Sequence, residues 1–599
     1  MNKKNRTVPS GKPSLHILGR LLGYMLRFWP LTLAGIGLSL ASNYLALLGP
    51  QYLGEAIDAI SSKSGVMMDV VWDNFRKMLV CYLLSAILAY LMTVAMVNLS
   101  QRITYRMRKQ LFERLTALPV SYFDTHTTGD TVSRISYDID TVNASLSTDL
   151  IQVLTSIYTV CGSLYYMFRI SRPLLLVFAV TVPISVAFTR MKAKKIRPLF
   201  RKRSKKLGEL NGFSEEMLSG AKAIGAYHRA KTVTEKFDEQ NKQAVDAYYE
   251  AEYYGAVIGP SVNFINNLSL SLIMILGGIL YLFSETGQVA AGSVWFLSLG
   301  GVTQFVMYSR KFSGPINEFA NIISEFQSAF TAAERIFRII DEPPEEADRA
   351  GAKELSHVSG EVVLSDVSFG YLPGKTVLHD LSLTAKPGRT VAIVGPTGAG
   401  KTTIINLLMR FYDVDSGEIS VDGTEIRDIT RKSLRGAYTM VLQDTWLFYG
   451  TIFENITYGR KDATREEVIA AAKAARIHSF IERLPDGYDT LLSDDGVNIS
   501  KGQKQLITIA RAMLPHTRML ILDEATSNVD SRTEIKIQEA MSELMIGRTC
   551  FVIAHRLSTI RNADVILVVK DGNVIEQGNH DQLLQKGGFY ASLYNSQFS

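Results

Sequence analysis

Thr390-Val391-Ala392-Ile393-Val394-Gly395-Pro396-Thr397-Gly398-Ala399-Gly400-Lys401-Thr402-Thr403 decides the fold of the C-terminal half of this 599-residue chain. Its first five residues form an apolar, β-branched run of the kind that builds a buried parallel strand. A glycine-rich loop follows at once, and 404–409 reads as helix. Strand, loop and helix in that order are the context a phosphate-binding loop needs. Gly395, Gly398 and Gly400 let backbone N–H groups converge on phosphate oxygens, and the helix N-terminus adds positive potential. Lys401 has the reach for the terminal phosphates, and the Thr402 hydroxyl is a ligand for Mg2+.

Two further motifs follow in fixed order. Met519-Leu520-Ile521-Leu522-Asp523-Glu524 reads as a second buried strand ending in two acids. Asp523, at the carboxyl end of such a strand, is placed to hold the Mg2+ shell, and Glu524 to polarise the attacking water as general base. Between the two lies Asn498-Ile499-Ser500-Lys501-Gly502-Gln503. Ser500 caps a helix running from Gln503 through Ile507, Ile509 and Met513, and Gly502 leaves room for close approach of a ligand. This is a second helix N-terminus suited to phosphate, about 100 residues from the first. One site does not obviously need both.

Upstream, the composition changes. Charged residues average 20% over the chain, but the N-terminal half holds six charge-poor apolar runs: 31–53, 78–97, 150–168, 173–189, 256–283 and 289–308. Each is long enough to span about 30 Å of hydrocarbon, with 173–189 at the lower limit. Residues 190–206 hold ten Lys and Arg, 101–116 hold five, and 284–309 hold none. The positive-inside rule therefore puts the N-terminus and the connections after spans two and four in the cytoplasm, against Arg169 and Arg172 in a turn assigned outside. Those two connections keep helical periodicity and so extend tens of Å beyond the bilayer, with breaks near Gly129 and near 220–225. The net charge of +6 lies largely beside the spans, which argues against nucleic acid as a partner. Cys81, Cys161 and Cys550 form neither a disulfide framework nor a metal spacing. At the N-terminus, Leu15, Leu18, Leu22 and Leu26 recur at helical spacing among basic residues. A short interfacial helix and the first turns of a spanning helix both fit that pattern. Helical periodicity continues past the last span to Ile339, and Pro343-Pro344 ends it. The expected division is a tail and elbow at 1–30, an α-helical membrane domain at 31–342, a linker at 343–360 and an α/β ATP-binding domain at 361–599.

Together these motifs resemble the ATP-binding cassette exporters with six spans and one cassette per chain, the half-transporters of multidrug and lipid exporter type. The resemblance covers essentially everything after the first ten residues. It implies ATP and Mg2+ as ligands of the loop Gly395, Pro396, Thr397, Gly398, Ala399, Gly400, Lys401, Thr402 and Thr403. It also assigns Tyr371 as the aromatic that stacks on adenine and Gln443 as the residue that senses Mg2+. Asp530 falls in the loop that crosses the dimer, and His555 is the histidine facing the γ-phosphate. Tyr122-Phe123-Asp124 with Gly129, Asp130 and 134–138 resembles the family's first coupling segment, and 220–241 the second. Two cassettes are implied to close head to tail on two ATP molecules, each site pairing one chain's loop with the other's Ser500-type helix.

The implied activity is ATP-driven export of hydrophobic or amphipathic drugs, lipids or peptides across the plasma or inner membrane, with the cassette in the cytoplasm. Import of metal chelates and an ATP-gated channel or regulator stay open. Two departures concern the partner. The usual Leu-Ser-Gly-Gly-Gln has Lys501 at its third place, and the usual Gly-Glu-x-Gly is Ser493-Asp494-Asp495-Gly496. An altered helix motif beside an intact carboxylate pair resembles the catalytic subunit of a heterodimer whose partner has a weakened carboxylate; a homodimer is the alternative.

Overall fold

The computed structural model describes residues 15–62, 65–290, 292–443, 445–492, 499–523, 530–554 and 560–598. By their contacts they fall into two units: Met1–Ala117 with Thr127–Glu342, and Leu118–His126 with Pro343–Ser599.

The first unit is helical. Helix α1 (Leu15–Arg27) precedes α2 (Trp29–Ile60), α3 (Met68–Thr116), α5 (Thr128–Ile170), α6 (Arg172–Ser219), α7 (Ala221–Ala226), α8 (Ala230–Glu285) and α9 (Leu299–Ile340); α4 (Val120–Thr125) groups with the second unit. Five of them, α2, α3, α5, α6 and α8, are long and apolar enough to cross a membrane. On α3 the apolar Val80, Leu83, Leu84, Ile87 and Leu91 are among the exposed residues, while Ser85 is buried. That inverts the pattern of a soluble helix and suits a lipid surround. At 49 residues α3 is about 70 Å long, more than twice the hydrocarbon thickness. The expected breaks are present: the chain leaves helical geometry around Pro119 and His126, and again at Gly220 and Tyr227.

The sixth expected span needs correction. Residues 289–308 are not one helix, because α9 starts only at Leu299. Gly292 sits at φ 98°, a left-handed conformation that stops a helix, and the Ser298 hydroxyl accepts the Gly301 N–H as an N-cap. Apolar content alone does not register either signal.

Helices α2 and α9 run together as a ladder of polar and close backbone contacts. Tyr308 donates to the Leu47 carbonyl at 2.6 Å, and Gln304 to the Gln51 carbonyl at 3.2 Å. Asp58 accepts from the Ser298 hydroxyl at 2.8 Å and the Gly300 N–H at 2.7 Å. A Cβ on Gly300 would lie 2.0 Å from the Gly54 carbonyl oxygen, so only glycine fits there. Small residues and interhelical hydrogen bonds of this kind hold helices together where hydrophobicity does not discriminate. A π-helical turn, Arg134–Asp138, sets the buried Asp138 carboxylate against Arg335 of α9, with Nε at 2.8 Å and Nη2 at 2.5 Å.

The second unit is α/β. Strands β1 (Val362–Phe369), β2 (Leu378–Ala385), β4 (Ser416–Val421) and β5 (Thr424–Glu425) form an antiparallel sheet in the order β2-β1-β4-β5. A six-stranded sheet has the order β12-β11-β3-β10-β9-β6. Its strands are β3 (Thr390–Val394), β6 (Tyr438–Val441), β9 (Met519–Asp523), β10 (Thr549–Ile553), β11 (Val565–Lys570) and β12 (Asn573–Gly578), all parallel except the β11–β12 pair. A two-residue pair, β7 (Gly450–Thr451) with β8 (Leu491–Leu492), lies apart from both. Alternate residues of the central strands serve two separate cores. Ala392, Val394, Leu520, Leu522, Cys550 and Val552 belong to one, and Val391, Ile393, Met519, Ile521, Phe551 and Ile553 to the other. A sheet buried on both faces explains why these strands read as unbroken apolar runs.

Residues 343–360, expected as a linker, fold onto this unit. Arg435 binds Glu345 at 2.5 Å, Arg431 binds Asp348 at 3.1 Å, and Asp422 accepts the N–H groups of Ser359, Gly360 and Glu361.

Candidate nucleotide-binding site

The carboxyl ends of β3, β9, β10 and β6 meet at one edge of the sheet. Ile393 pairs with Ile553, Ile553 with Asp523, and Leu522 with Val441. Ligands of open parallel sheets bind outside this edge. This edge carries the loop 395–400 after β3, Asp523 at the end of β9, and Gln443 after β6.

The loop leaves β3 with Gly395 so close to Val569 that a Cβ would lie 2.1 Å from its carbonyl oxygen. Gly400 takes a left-handed φ of 102° and starts α10 (Lys401–Leu408). Helix α10 is anchored by Ile404, Ile405, Leu407 and Leu408 in the core, so its N-terminus is fixed and points its N–H groups at the loop. Lys401 is buried and donates to the carbonyls of Gly395 at 2.8 Å and Pro396 at 3.0 Å. Burial lowers its ammonium below the usual lysine range, and the carboxylate of Asp523 pulls in the opposite direction. Thr402 is exposed on the first turn, whereas Thr403 is buried.

Tyr371 stands beside this helix at the end of β1. Its hydroxyl donates to Thr403 Oγ1 and accepts from Asn406 Nδ2, each at 3.2 Å, and its ring meets Phe369 and Tyr412 edge-on at 5.0 Å. The ring stays partly exposed, as a stacking platform must. Asn406 and Tyr412 were not singled out from the sequence. Asn406 follows Thr403 by one helical turn, and that spacing was the available signal.

Oxygen donors suited to Mg2+ lie at the same edge: the exposed Thr402 hydroxyl, the Asp523 carboxylate at the end of β9, and Gln443 two residues past β6. Hard oxygen ligands in small number fit that ion, which keeps part of its water shell and binds substrate phosphates. Glu524 and His555 lie outside the described residues, as do Ser493, Asp494, Asp495 and Gly496.

Ser500 forms a full capping box on α11 (Lys501–Met513). Its hydroxyl accepts the Gln503 N–H at 3.2 Å, and the Gln503 side chain accepts the Ser500 N–H at 2.9 Å. Gly502 is buried and Lys501 exposed. Asp530 is the N-cap of α12 (Ser531–Met545), accepting the Thr533 N–H at 2.9 Å. Hydrogen bonds from Thr533 hold its carboxyl below the usual range.

Comparison with known proteins finds relatives for both halves of the chain. Residues 32–309 match the ABC transporter transmembrane region, and residues 378–527 match the ABC transporter domain. An uncharacterized ABC transporter ATP-binding protein of Bacillus subtilis, YfiC, is 42% identical over 93% of this chain and 90% of its own length. A fatty acid ABC transporter ATP-binding/permease protein of Mycobacterium tuberculosis is 44% identical over 88% of this chain and 82% of its own. An ATP-dependent lipid A-core flippase of Thiobacillus denitrificans is 34% identical over 98% of this chain and all of its own. The chain belongs to the ABC transporter family as a membrane-embedded half-transporter of exporter type, in which one transmembrane region and one ATP-hydrolysing cassette share a single polypeptide.

Proposed function

We propose that this chain is one half of a dimeric pump that exports lipid-like, hydrophobic or amphipathic compounds, with its cassette in the cytoplasm. The observation that supports it most is the union on one chain of helices with apolar outer surfaces and a phosphate loop at the carboxyl edge of a parallel sheet. The fatty acid transporter and lipid A-core flippase names of its relatives favour a lipid-like cargo over a metal chelate.

In this reading the 395–403 loop and Lys401 cradle the phosphates of ATP and Tyr371 carries the adenine. Thr402, Asp523 and Gln443 would hold Mg2+, which would supply positive charge to neutralise the transferred phosphoryl group. Glu524 takes the proton of the attacking water, and His555 contacts the γ-phosphate side. Ser500, Gly502, Gln503 and Asp530 serve the ATP bound mainly by the partner, which accounts for two phosphate grips on one chain.

The partner is a second half-transporter. Lys501 puts an exposed ammonium where the usual motif has glycine, so the site completed by this helix is chemically unlike the site built on this chain's own loop. That inequality favours a heterodimer whose other subunit carries the weakened carboxylate. Uptake of a fluorescent fatty-acid and dye panel into inside-out vesicles tests the export reading. ATP-dependent accumulation against a gradient is expected. Downhill flux alone would identify a channel, and uptake confined to right-side-out vesicles would identify an importer. Full substrate-stimulated ATPase from the purified single subunit would remove the heterodimer.

A further inference from the structure

Helix α1 has two faces. Leu21 and Met25 are buried, while Leu22, Leu26 and Trp29, just beyond it, are exposed. On the buried side Arg20 lies over the Phe337 ring at 4.1 Å and binds Asp341 at 2.5 Å, and Tyr24 donates to Gln110 at 2.5 Å. The helix is thus docked on α3 and α9, with an apolar stripe and a tryptophan directed outward. That is the form of a helix lying in a membrane interface.

Where α1 turns into α2, Phe28 faces α3 across a cavity of about 590 Å³. Its α3 wall is Arg102, Tyr105, Arg106, Lys109 and Glu113. Arg102, Arg106, Lys109 and Glu113 follow one another at four, three and four residues, so they form a single stripe along the helix. The opposite face of the same turns, Ile103, Met107 and Leu111, is fully buried and fixes the stripe's direction. Lys109 approaches Glu113 at 3.8 Å with both side chains more than half exposed, an arrangement that neutralises little. Among the described residues neither Arg102 nor Arg106 has an ion-pair partner. The neighbouring Arg108, by contrast, is taken by Asp140 at 2.7 Å.

We propose that this cavity is a binding site for the headgroup of an anionic phospholipid, held as a resident lipid. The two unpaired guanidiniums bind the phosphate and Lys109 the second charge or hydroxyl of the headgroup. Phe28 and the exposed Tyr105 line the path of the first acyl carbons. Guanidinium forks match phosphate oxygens in pairs, and three cations against one exposed carboxylate select an anionic headgroup over a zwitterionic one. The site uses no residue of the nucleotide machinery.

Native mass spectrometry of the purified full chain in detergent tests it, with phosphatidylglycerol or phosphatidylcholine added at matched concentrations. One phosphatidylglycerol per chain is expected to bind in preference to phosphatidylcholine, and to survive excess inorganic phosphate. The Arg102→Ala/Arg106→Ala double variant is expected to bind it about thirtyfold more weakly, at about fivefold per interfacial charge. The Arg102→Lys/Arg106→Lys variant keeps the charge but loses the forks, and is expected to bind between wild type and the alanine variant. Should the alanine variant fail to fold, the exposed Lys109→Gln gives a smaller loss in the same direction. Equal binding of both lipids, displacement by free phosphate, or unchanged binding in the folded alanine variant would overturn the proposal.

Discussion

Replacing Lys401 by alanine separates what this residue does for the fold from what it does for ATP. The side chain is 8% exposed, and its ammonium donates to the carbonyls of Gly395 and Pro396. Loss of those bonds is offset by removal of a charge that burial already disfavours. The change in stability should therefore stay near about 1 kcal/mol, the net worth of an ordinary hydrogen bond. For ATP the balance differs. Hydrogen bonds to charged groups are worth about 1.5–3 kcal/mol each, and one or two such contacts to phosphate make the loss roughly 2–4 kcal/mol. That is roughly a 30- to 1000-fold rise in Kd. Titration with a fluorescent ATP analogue beside a thermal melt gives both quantities on one sample. Lys401→Arg should also bind weakly, because its larger planar fork does not fit a site this enclosed. A Lys401→Ala protein that melts normally and binds ATP within about twofold of wild type would refute the assignment.

Ser500→Ala removes the capping box of α11 and should lower stability by about 1 kcal/mol, read as a drop in melting temperature. In the proposed dimer its effect on hydrolysis should appear only at the site built on the partner's loop. Arg335→Ala strands the buried Asp138 carboxylate and should destabilise the protein by roughly 1–3 kcal/mol, below the full cost of a broken buried pair because Arg335 is partly exposed. The Arg335→Leu/Asp138→Leu double variant should recover part of that loss in the same melt. Orientation is open to labelling in a cysteine-free background. An exposed cysteine at Gln288 should react with an impermeant maleimide from outside, and one at Thr232 only after permeabilisation. Reversed labelling would overturn the cytoplasmic placement of the cassette.

Local chemistry made some of this structure legible. Thr390–Val394 and the onset of α10 follow from a β-branched run meeting glycines, and Ser500 with Gln503 forms a reciprocal cap that spacing alone announces. What the sequence hid is mostly long-range. Asp138 meets Arg335 across 197 residues and Tyr308 meets the Leu47 carbonyl across 261, and no window of residues shows either pairing. Residues 343–360, expected as a linker, are held by Arg431 and Arg435 through Asp348 and Glu345, 83 and 90 residues away in sequence. The sixth span was misplaced for a local reason that hydropathy ignores, the left-handed Gly292 and the Ser298 cap.

The most direct measurement pairs ATP hydrolysis with substrate movement in the same proteoliposomes, for wild type and Glu524→Gln, with the partner subunit present if the chain needs one. The account expects wild type to hydrolyse ATP and accumulate a lipid-like substrate against its gradient. The variant should still bind ATP, hydrolyse it about 10²–10⁴ times more slowly, and accumulate nothing. Near wild-type turnover by Glu524→Gln, or undiminished accumulation without hydrolysis, would contradict it.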